Sequence, residues 1–469
     1  MTTDAARTAP PGGQFGRTLR SWRVRAGLTQ QQLGLRVGYH HSLISRLEAG
    51  WREPPAGLVP RLDSLLGTGG ELAAIVAAPR EVPGGPPGGP LDPRLFAALP
   101  GAATAGAEDA TDPAPWPPAL PAEGLVCPLH GTAGCVVPDR AAIASLLNGL
   151  TAPHPRFADL TGVEADLLHG LTAVLACLTR DVPHGAGPDG TVQLERLLHA
   201  TVRWAEAVNR SGRLPYGQLR IAAQYAQVAG RLRMRCGQGA IAMAWFGHGL
   251  RWAESVHDAP ARATLLSDMC TLVRLDQDAA STLGYAEAIG AVDHRRRWVA
   301  ALAHLYQARG QALGHDATEC LRQIRLARRV FGRLTRRDRA EAPWLDGAEG
   351  ELRVESAVGG ALRDLAALTG DRGTARRAVA ATARSRDLVP PTMRDTRLLL
   401  TLRLADGWAC AGDPRAAVAV VSPVLDEAVR SRELMIRAEL RGLHGRLLAG
   451  WGDVRDVREY RGRVLDAGD

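Results

Sequence analysis

The sequence contains no lysine, so all 57 of its basic residues are arginine. A Walker A phosphate loop and an enzyme working through a lysine Schiff base both need that amine, and both are excluded. Neither G-x-S-x-G nor H-E-x-x-H occurs, so an enzymatic reading has no residues to stand on. No uninterrupted apolar run reaches the roughly 18 residues that a membrane-crossing helix needs, and no membrane partner is expected. The N-terminus lacks the charged-then-apolar pattern of a secretory leader, and the seven cysteines are odd in number and mostly scattered. Together these point to a reducing cytoplasm instead of a disulfide framework. The arginine bias, with abundant Ala, Gly and Pro, is what a very GC-rich genome produces.

At 469 residues and 46% hydrophobic, the chain has the length and apolar content for two or three cores. Its net charge of +8 suits an anionic partner. The distribution says more than the total. Between Gly13 and Gly70 eight arginines face only Glu48, Glu53 and Asp63, a net +5 in one short segment.

Residues 1–13 read as a disordered tail, and residues 14–78 as a compact block of four to five helices. Residues 79–138 read as a linker rich in Pro, Gly and Ala, because 13 of the 30 prolines fall between Pro79 and Pro128, in runs such as PGGPPGGP. Such a stretch buries too little apolar surface to fold well. From 139 to 469, apolar residues recur at i, i+3, i+4 and i+7 with no strand alternation, so the whole chain is expected to be all-α.

A punctuation mark recurs in that last region: LGHD (313–316), TGDR (369–372), AGDP (411–414) and WGDV (451–454). Glycine can take the left-handed conformation that ends one helix, and the following Asp can cap the next, so each mark predicts a helical hairpin. Asp371, Asp413 and Asp453 lie 42 and 40 residues apart, whereas Asp316 precedes Asp371 by 55, as if one hairpin carried an insertion. Stacked hairpins of this spacing make a solenoid. The region resembles tetratricopeptide (TPR) repeats, in which a small residue follows the turn glycine by five positions. Ala375 and Ala417 fit that position; Glu319 and Val457 do not.

The basic N-terminal block is the most informative. GRTLRSWRVRAG (16–27) predicts a helix with Leu19 and Trp22 inward and Gly27 as its stop. Thr29 caps a second helix whose Leu33 and Val37 enter the core. Gly34 is small because the next helix crosses close by, and Gly38 is where the chain turns sharply. A third helix follows over Ser42–Ala49 with Ile44 and Leu47 buried, and a fourth from about Pro55 to Leu66. That arrangement turns His40, His41, Ser42, Ser45 and Arg46 outward.

These residues resemble the Cro and phage-repressor (XRE) type of helix-turn-helix regulator, of the actinobacterial kind that carries a TPR-like C-terminal domain. The matching marks are Leu19, Arg23, the GLTQ at 27–30, Leu33, Gly38, Ile44, Arg46, Leu47, Glu48 and Gly50. The resemblance implies that Gln30 binds a DNA phosphate and that Arg23 and Glu48 form a steadying salt bridge. It also implies base-edge contacts from His41, Ser42, Ser45 and Arg46, with His40 and Arg52 nearer the backbone. The sequence departs from the pattern at Gly34, where alanine is usual, and at the His40–His41 pair. Arginine can grip guanine O6 and N7 with two hydrogen bonds, which makes Arg46 the foremost candidate for base reading.

Other constellations are less complete. CPLHGTAGC (127–135) gathers Cys127, His130 and Cys135 at a spacing that can hold zinc, with His154 or a distant cysteine as fourth ligand; the alternative is a thiol-bearing loop docked on the helical domain. GQGAIA (237–242) satisfies G-x-G-x-x-A but follows a helix, and reads as a helix boundary. Trp245, His248 and Trp252 share a helical face, as core packing or as the lining of a ligand groove.

The expected protein is therefore a cytoplasmic transcription regulator that binds double-stranded DNA as a homodimer. Its C-terminal domain is expected to mediate pairing, or the sensing of a peptide or protein effector. The competing expectation is an interaction scaffold whose N-terminal bundle binds a transcription-machinery protein, such as a sigma factor.

Overall fold

The computed structural model describes residues 13–39, 41–48, 54, 57–77, 91–100, 119–120, 127–129, 135–152, 155–181 and 188–468. The expected disordered tail lies almost wholly outside these residues. Packing divides the chain into two units, Met1–Gly89 and Pro90–Asp469.

The first unit holds α1 (Gly13–Arg25), α2 (Gln30–Val37), α3 (His41–Glu48), α4 (Leu58–Leu66) and α5 (Glu71–Ala77). Phe15 and Leu19 form one stripe on α1, and they meet Leu33 and Val37 of α2, Leu43, Ile44 and Leu47 of α3, and Leu58 and Leu62 of α4. Each such burial stabilises the fold by about 1.5–3 kcal/mol. The fourth helix begins at Leu58, later than the expected Pro55, because Gly57 is left-handed (φ 78°) and cannot continue a helix from upstream. Asp63 then fixes the fifth helix: its carboxylate accepts the backbone amides of Leu72 at 3.1 Å and Ala73 at 3.0 Å.

The second unit is a succession of packed helices: α6 (Arg140–Thr151), α7 (Glu164–Asp181), α8 (Pro188–Arg210), α9 (Tyr216–Arg235), α10 (Gly239–Ser255), α11 (Ala259–Leu275), α12 (Ala279–Val292), α13 (Arg297–Leu313) and α14 (Ala317–Phe331). There follow α15 (Arg336–Glu341), α16 (Gly347–Thr369), α17 (Arg372–Asp387), α18 (Arg394–Cys410), α19 (Pro414–Val421), α20 (Leu425–Arg430), α21 (Leu434–Trp451) and α22 (Arg455–Gly468). The only sheet among the described residues pairs β1 (Ala119–Leu120) with β2 (Cys135–Val136), antiparallel, Leu120 opposite Cys135. The all-α expectation holds, and the second unit is a long helical-repeat-like array.

Besides His257, which is left-handed between α10 and α11, five turns that each lie within one hairpin share one conformation. Gly237, Gln277, His315, Gly370 and Gly412 are left-handed, with φ between 60 and 83°. The next residue in four of them, Asp278, Asp316, Asp371 or Asp413, accepts an amide from the first turn of the following helix. Five positions after each left-handed residue stands a side chain with 0% exposure: Ala242, Thr282, Cys320, Ala375 and Ala417. The repeat thus runs through α9–α10, α11–α12, α13–α14, α16–α17 and α18–α19. Its glycine mark was visible at only two of these. At 313–316 the left-handed residue is His315, since Gly314 has φ −80°, so the small position is Cys320 and not Glu319. Gly452 is helical at φ −53°, so WGDV does not form this turn. The long interval before Asp371 is filled by α15 and a short 3-10 turn, Pro343–Leu345. That insertion is fastened to α13: Asp338 accepts the Arg297 amide at 3.0 Å and Glu341 accepts the Trp298 indole N–H at 3.1 Å.

The array turns back on itself. Arg235, at the end of α9, bonds Asp395 of α18 at 2.8 Å and pairs with Glu433, which precedes α21. Between these ends lies a buried ionic lattice, in which Arg363 pairs with Asp364 and Glu439, Arg403 with Glu439, and Arg309 with Asp364.

Part of the expected linker is not a tether. Residues 91–100 form a strap on α8 and α10, with Phe96 buried. Asn209 exchanges two hydrogen bonds with the Leu91 backbone, at 2.8 and 3.0 Å. Trp252 donates to Leu95 O at 2.7 Å, His248 Nε2 meets Ala98 O at 3.1 Å, and His199 Nε2 meets Pro100 O at 3.0 Å. Of the Trp245, His248 and Trp252 stripe, His248 and Trp252 thus hold the chain's own backbone, while the Trp245 indole donates to Glu195 at 2.9 Å. Residues 237–242 are a helix start, as expected.

A carbonyl can only accept, so both imidazoles donate through Nε2, and His248 Nδ1 accepts from Arg251 at 3.0 Å. Burial lowers the pKa of both histidines. Arg251 and His199 add to that at His248, and at His199 burial outweighs the Pro100 carbonyl and Glu195, which both act to raise it. The docked strap therefore binds fewer protons than the undocked one, and docking weakens as pH falls below the ordinary histidine value. Hydrogen exchange over 91–100 is expected to rise as pH is lowered from about 7.5 to about 5.5 after correction for intrinsic rates; a pH-independent protection factor would contradict this.

Candidate nucleic-acid interface

The local sequence explains why α2 and α3 meet at an angle. Thr29 and Gln32 form a reciprocal capping box, Gln32 N to Thr29 Oγ1 at 3.1 Å and Thr29 N to Gln32 Oε1 at 2.9 Å, so α2 begins at a fixed point. Gly38 ends it with φ 76°, a left-handed residue that accepts no side chain without strain. The chain re-enters a helix three residues later at His41. Leu43, Ile44 and Leu47 turn into the core, which leaves His41, Ser45 and Arg46 exposed along one edge.

Glu48, at the far end of α3, anchors that edge. Arg23 of α1 grips it with two nitrogens, Nε on Oε1 and Nη2 on Oε2 at 2.9 Å, while Nη1 donates to Leu28 O at 2.7 Å. The pair is nearly buried, with 11% and 4% side-chain exposure. Its hydrogen bonds raise the Arg23 guanidinium above its ordinary value against the opposing effect of burial. Gln30 joins the same carboxylate, Nε2 to Oε2 at 2.9 Å. A glutamine amide nitrogen carries two N–H donors, so this bond uses one and leaves the other for the expected phosphate contact.

Three features of this unit had no sequence signal. Gly16 lets α1 lie directly on α3, since a Cβ there would stand 2.6 Å from Glu48 O and also meet Leu47 O. Trp22 donates to Glu71 at 2.6 Å, tying α1 to α5. Asp63 is consumed by the α5 amides. All three carboxylates of the described residues in this unit are therefore occupied internally. Arg17, Arg20, Arg25, Arg36, Arg46 and Arg61 remain exposed, so the surface is more basic than the composition of the segment suggests.

Not every expected contact residue can be placed. His40 and Arg52 lie outside the described residues, as does the Ser42 side chain, although its backbone is in α3. Of the expected metal ligands, Cys127 and Cys135 come together, and their third neighbour is His169 of α7. His130 and His154 lie outside the described residues.

A family model described as a helix-turn-helix domain matches residues 14–75. The match spans α1 to α5 almost to its end and supports a DNA-binding regulator. No curated protein and no solved structure matches the chain. Among the described residues no helix is long and apolar enough to cross a membrane.

Two substitutions test the anchoring of α3. Glu48→Ala strands the buried Arg23 charge and is expected to cost the first unit about 3 kcal/mol; Gly16→Ala forces α1 away from α3. Both should lower the first unit's urea midpoint in the full chain and leave the second unit's transition in place. An unchanged midpoint in Glu48→Ala would show that the pair does not hold the unit together.

Proposed function

We propose that this chain is a sequence-specific transcription regulator of the Cro and phage-repressor type, acting on double-stranded DNA at the nucleoid. The carrying observation is the exposed His41, Ser45 and Arg46 edge of α3, set on a rigid helix within a surface whose described carboxylates are all engaged. An α-helix fits the major groove, where every base pair shows a distinct pattern of donors and acceptors. Arg46 is the base reader by chemistry, His41 and Ser45 supply adaptable donors and acceptors, and the surrounding arginines neutralise phosphates. Gln30, at the first turn of α2, braces Glu48 with one amide N–H and offers the other to a DNA phosphate.

A single helix-turn-helix touches few bases and gains useful affinity when two act on half-sites about one helical turn apart. In this reading the second unit pairs two chains, senses a peptide or protein effector, or does both. Its TPR-like turn register supports that role, because hairpin arrays present extended surfaces to such partners.

Gel shifts with the full chain on DNA upstream of its own gene test the proposal. Binding is expected to weaken steeply as salt rises, in proportion to the phosphates neutralised. Arg46→Ala should lose about 1–3 kcal/mol on the preferred site and much less on random DNA. Equal losses on both would assign Arg46 to the backbone. No binding at low salt, with capture of an RNA polymerase subunit or sigma factor by the same face, would favour the scaffold.

A further inference from the structure

The CPLHGTAGC segment is the one motif that DNA binding does not absorb. Its described residues are Cys127–Leu129, which form a short turn, and Cys135, which pairs with Leu120. Cys127 lies in that turn with 0% exposure, and Cys135 opens β2. His169 approaches from the first turns of α7, at 7% exposure. The two sulfurs and an imidazole nitrogen all lie within 4.8 Å of one another.

The Leu129 amide donates to Cys127 Sγ at 3.3 Å, closing a small turn around the sulfur. Arg220 of α9 holds the same turn through Pro128 O at 2.6 Å and is itself fixed by Asp258 at 2.7 Å. Buried cysteines that serve packing look different: Cys270 and Cys320 stand singly on helices and belong to no such cluster among the described residues.

We infer that Cys127, Cys135 and His169 hold one zinc ion, which pins the Cys127 turn and β2 to α7. Two thiolates and an imidazole are the borderline-soft donors that Zn²⁺ selects, and a structural site of this kind takes four ligands, three of which are in place here. On binding, each thiol passes its proton to solvent, so zinc uptake releases protons.

The test uses the full chain, purified without chelator, with metal measured by plasma mass spectrometry. One zinc per chain is expected, falling several-fold in Cys135→Ser and His169→Ala and unchanged in Cys236→Ser, whose cysteine is exposed. Cobalt exchanged into the wild-type protein should give the thiolate-to-metal absorption of a tetrahedral sulfur-ligated site. If the variants fold poorly, chelation of the wild-type protein replaces them: zinc should leave with a fall in the second unit's melting temperature and return on adding zinc alone. Zinc-free wild-type protein that takes up neither zinc nor cobalt overturns the inference. So does zinc content unchanged in both ligand variants, or a Cys127–Cys135 disulfide found in protein purified under reducing conditions.

Discussion

One carboxylate organises the first unit. Glu48 ends α3, where the helix dipole already concentrates negative charge, so an acidic residue there is unfavourable by itself. Arg23 offsets that penalty, and doing so fixes α1 and the α1–α2 loop, through Leu28 O, to the end of α3. Gln30 adds the start of α2. Three elements are thereby referred to a single residue, and each oxygen of that residue has a donor. A buried charge stripped of one partner is costly, so the arrangement tolerates little drift. The outward edge of α3 inherits that rigidity, which is what recognition of a duplex groove asks of it.

Much of this was legible in the sequence because the relevant interactions are local. Thr29, Gln32 and Gly38 declare where α2 begins and ends, and the apolar spacing of α3 declares which side faces out. What could not be read was long-range. Nothing near Gly16 announces that Glu48 O will lie against it, and nothing near Trp22 names Glu71. The second unit shows the same division. Gly370 and Gly412 betrayed their turns, but Gln277 and His315 take the same left-handed conformation with side chains that carry no turn signature. Gln277 steadies itself through a hydrogen bond to Arg274 O at 3.3 Å. Only the fold reveals that the repeat is one register with five members. His169 was equally hidden, because a histidine inside a long amphipathic helix advertises nothing about a turn near residue 127.

The absence of lysine shapes the interior as well as the surface. A buried lysine can surrender its proton, whereas a guanidinium stays charged and must find acceptors. The lattice between α13, α16, α18 and α21 meets that demand almost throughout: burial works against the ionised form of Glu439, yet Arg363 and Arg403 hold its carboxyl far below the usual range. Arg274 is the exception. It is 6% exposed, and among the described residues its side chain forms no hydrogen bond or ion pair. Burial, with Arg309 and Arg403 nearby, pushes it down to about 9. At neutral pH it remains a cation whose attraction to Asp364 and Glu439 acts only at a distance.

That lattice and the strap bear on how the second unit can respond to anything that binds it. Paired charges in a buried network have few alternative arrangements, since any shift that parts Arg363 from Glu439 leaves two desolvated charges unmatched. The helices joined by it should move together. The strap has a weaker hold, resting on carbonyl contacts to Asn209, His199, His248 and Trp252 and on one buried phenyl ring, Phe96. Elements held by few buried contacts open at lower free energy than those locked in a core. Within the second unit, the strap is therefore the element expected by stability to open before the ionic lattice does.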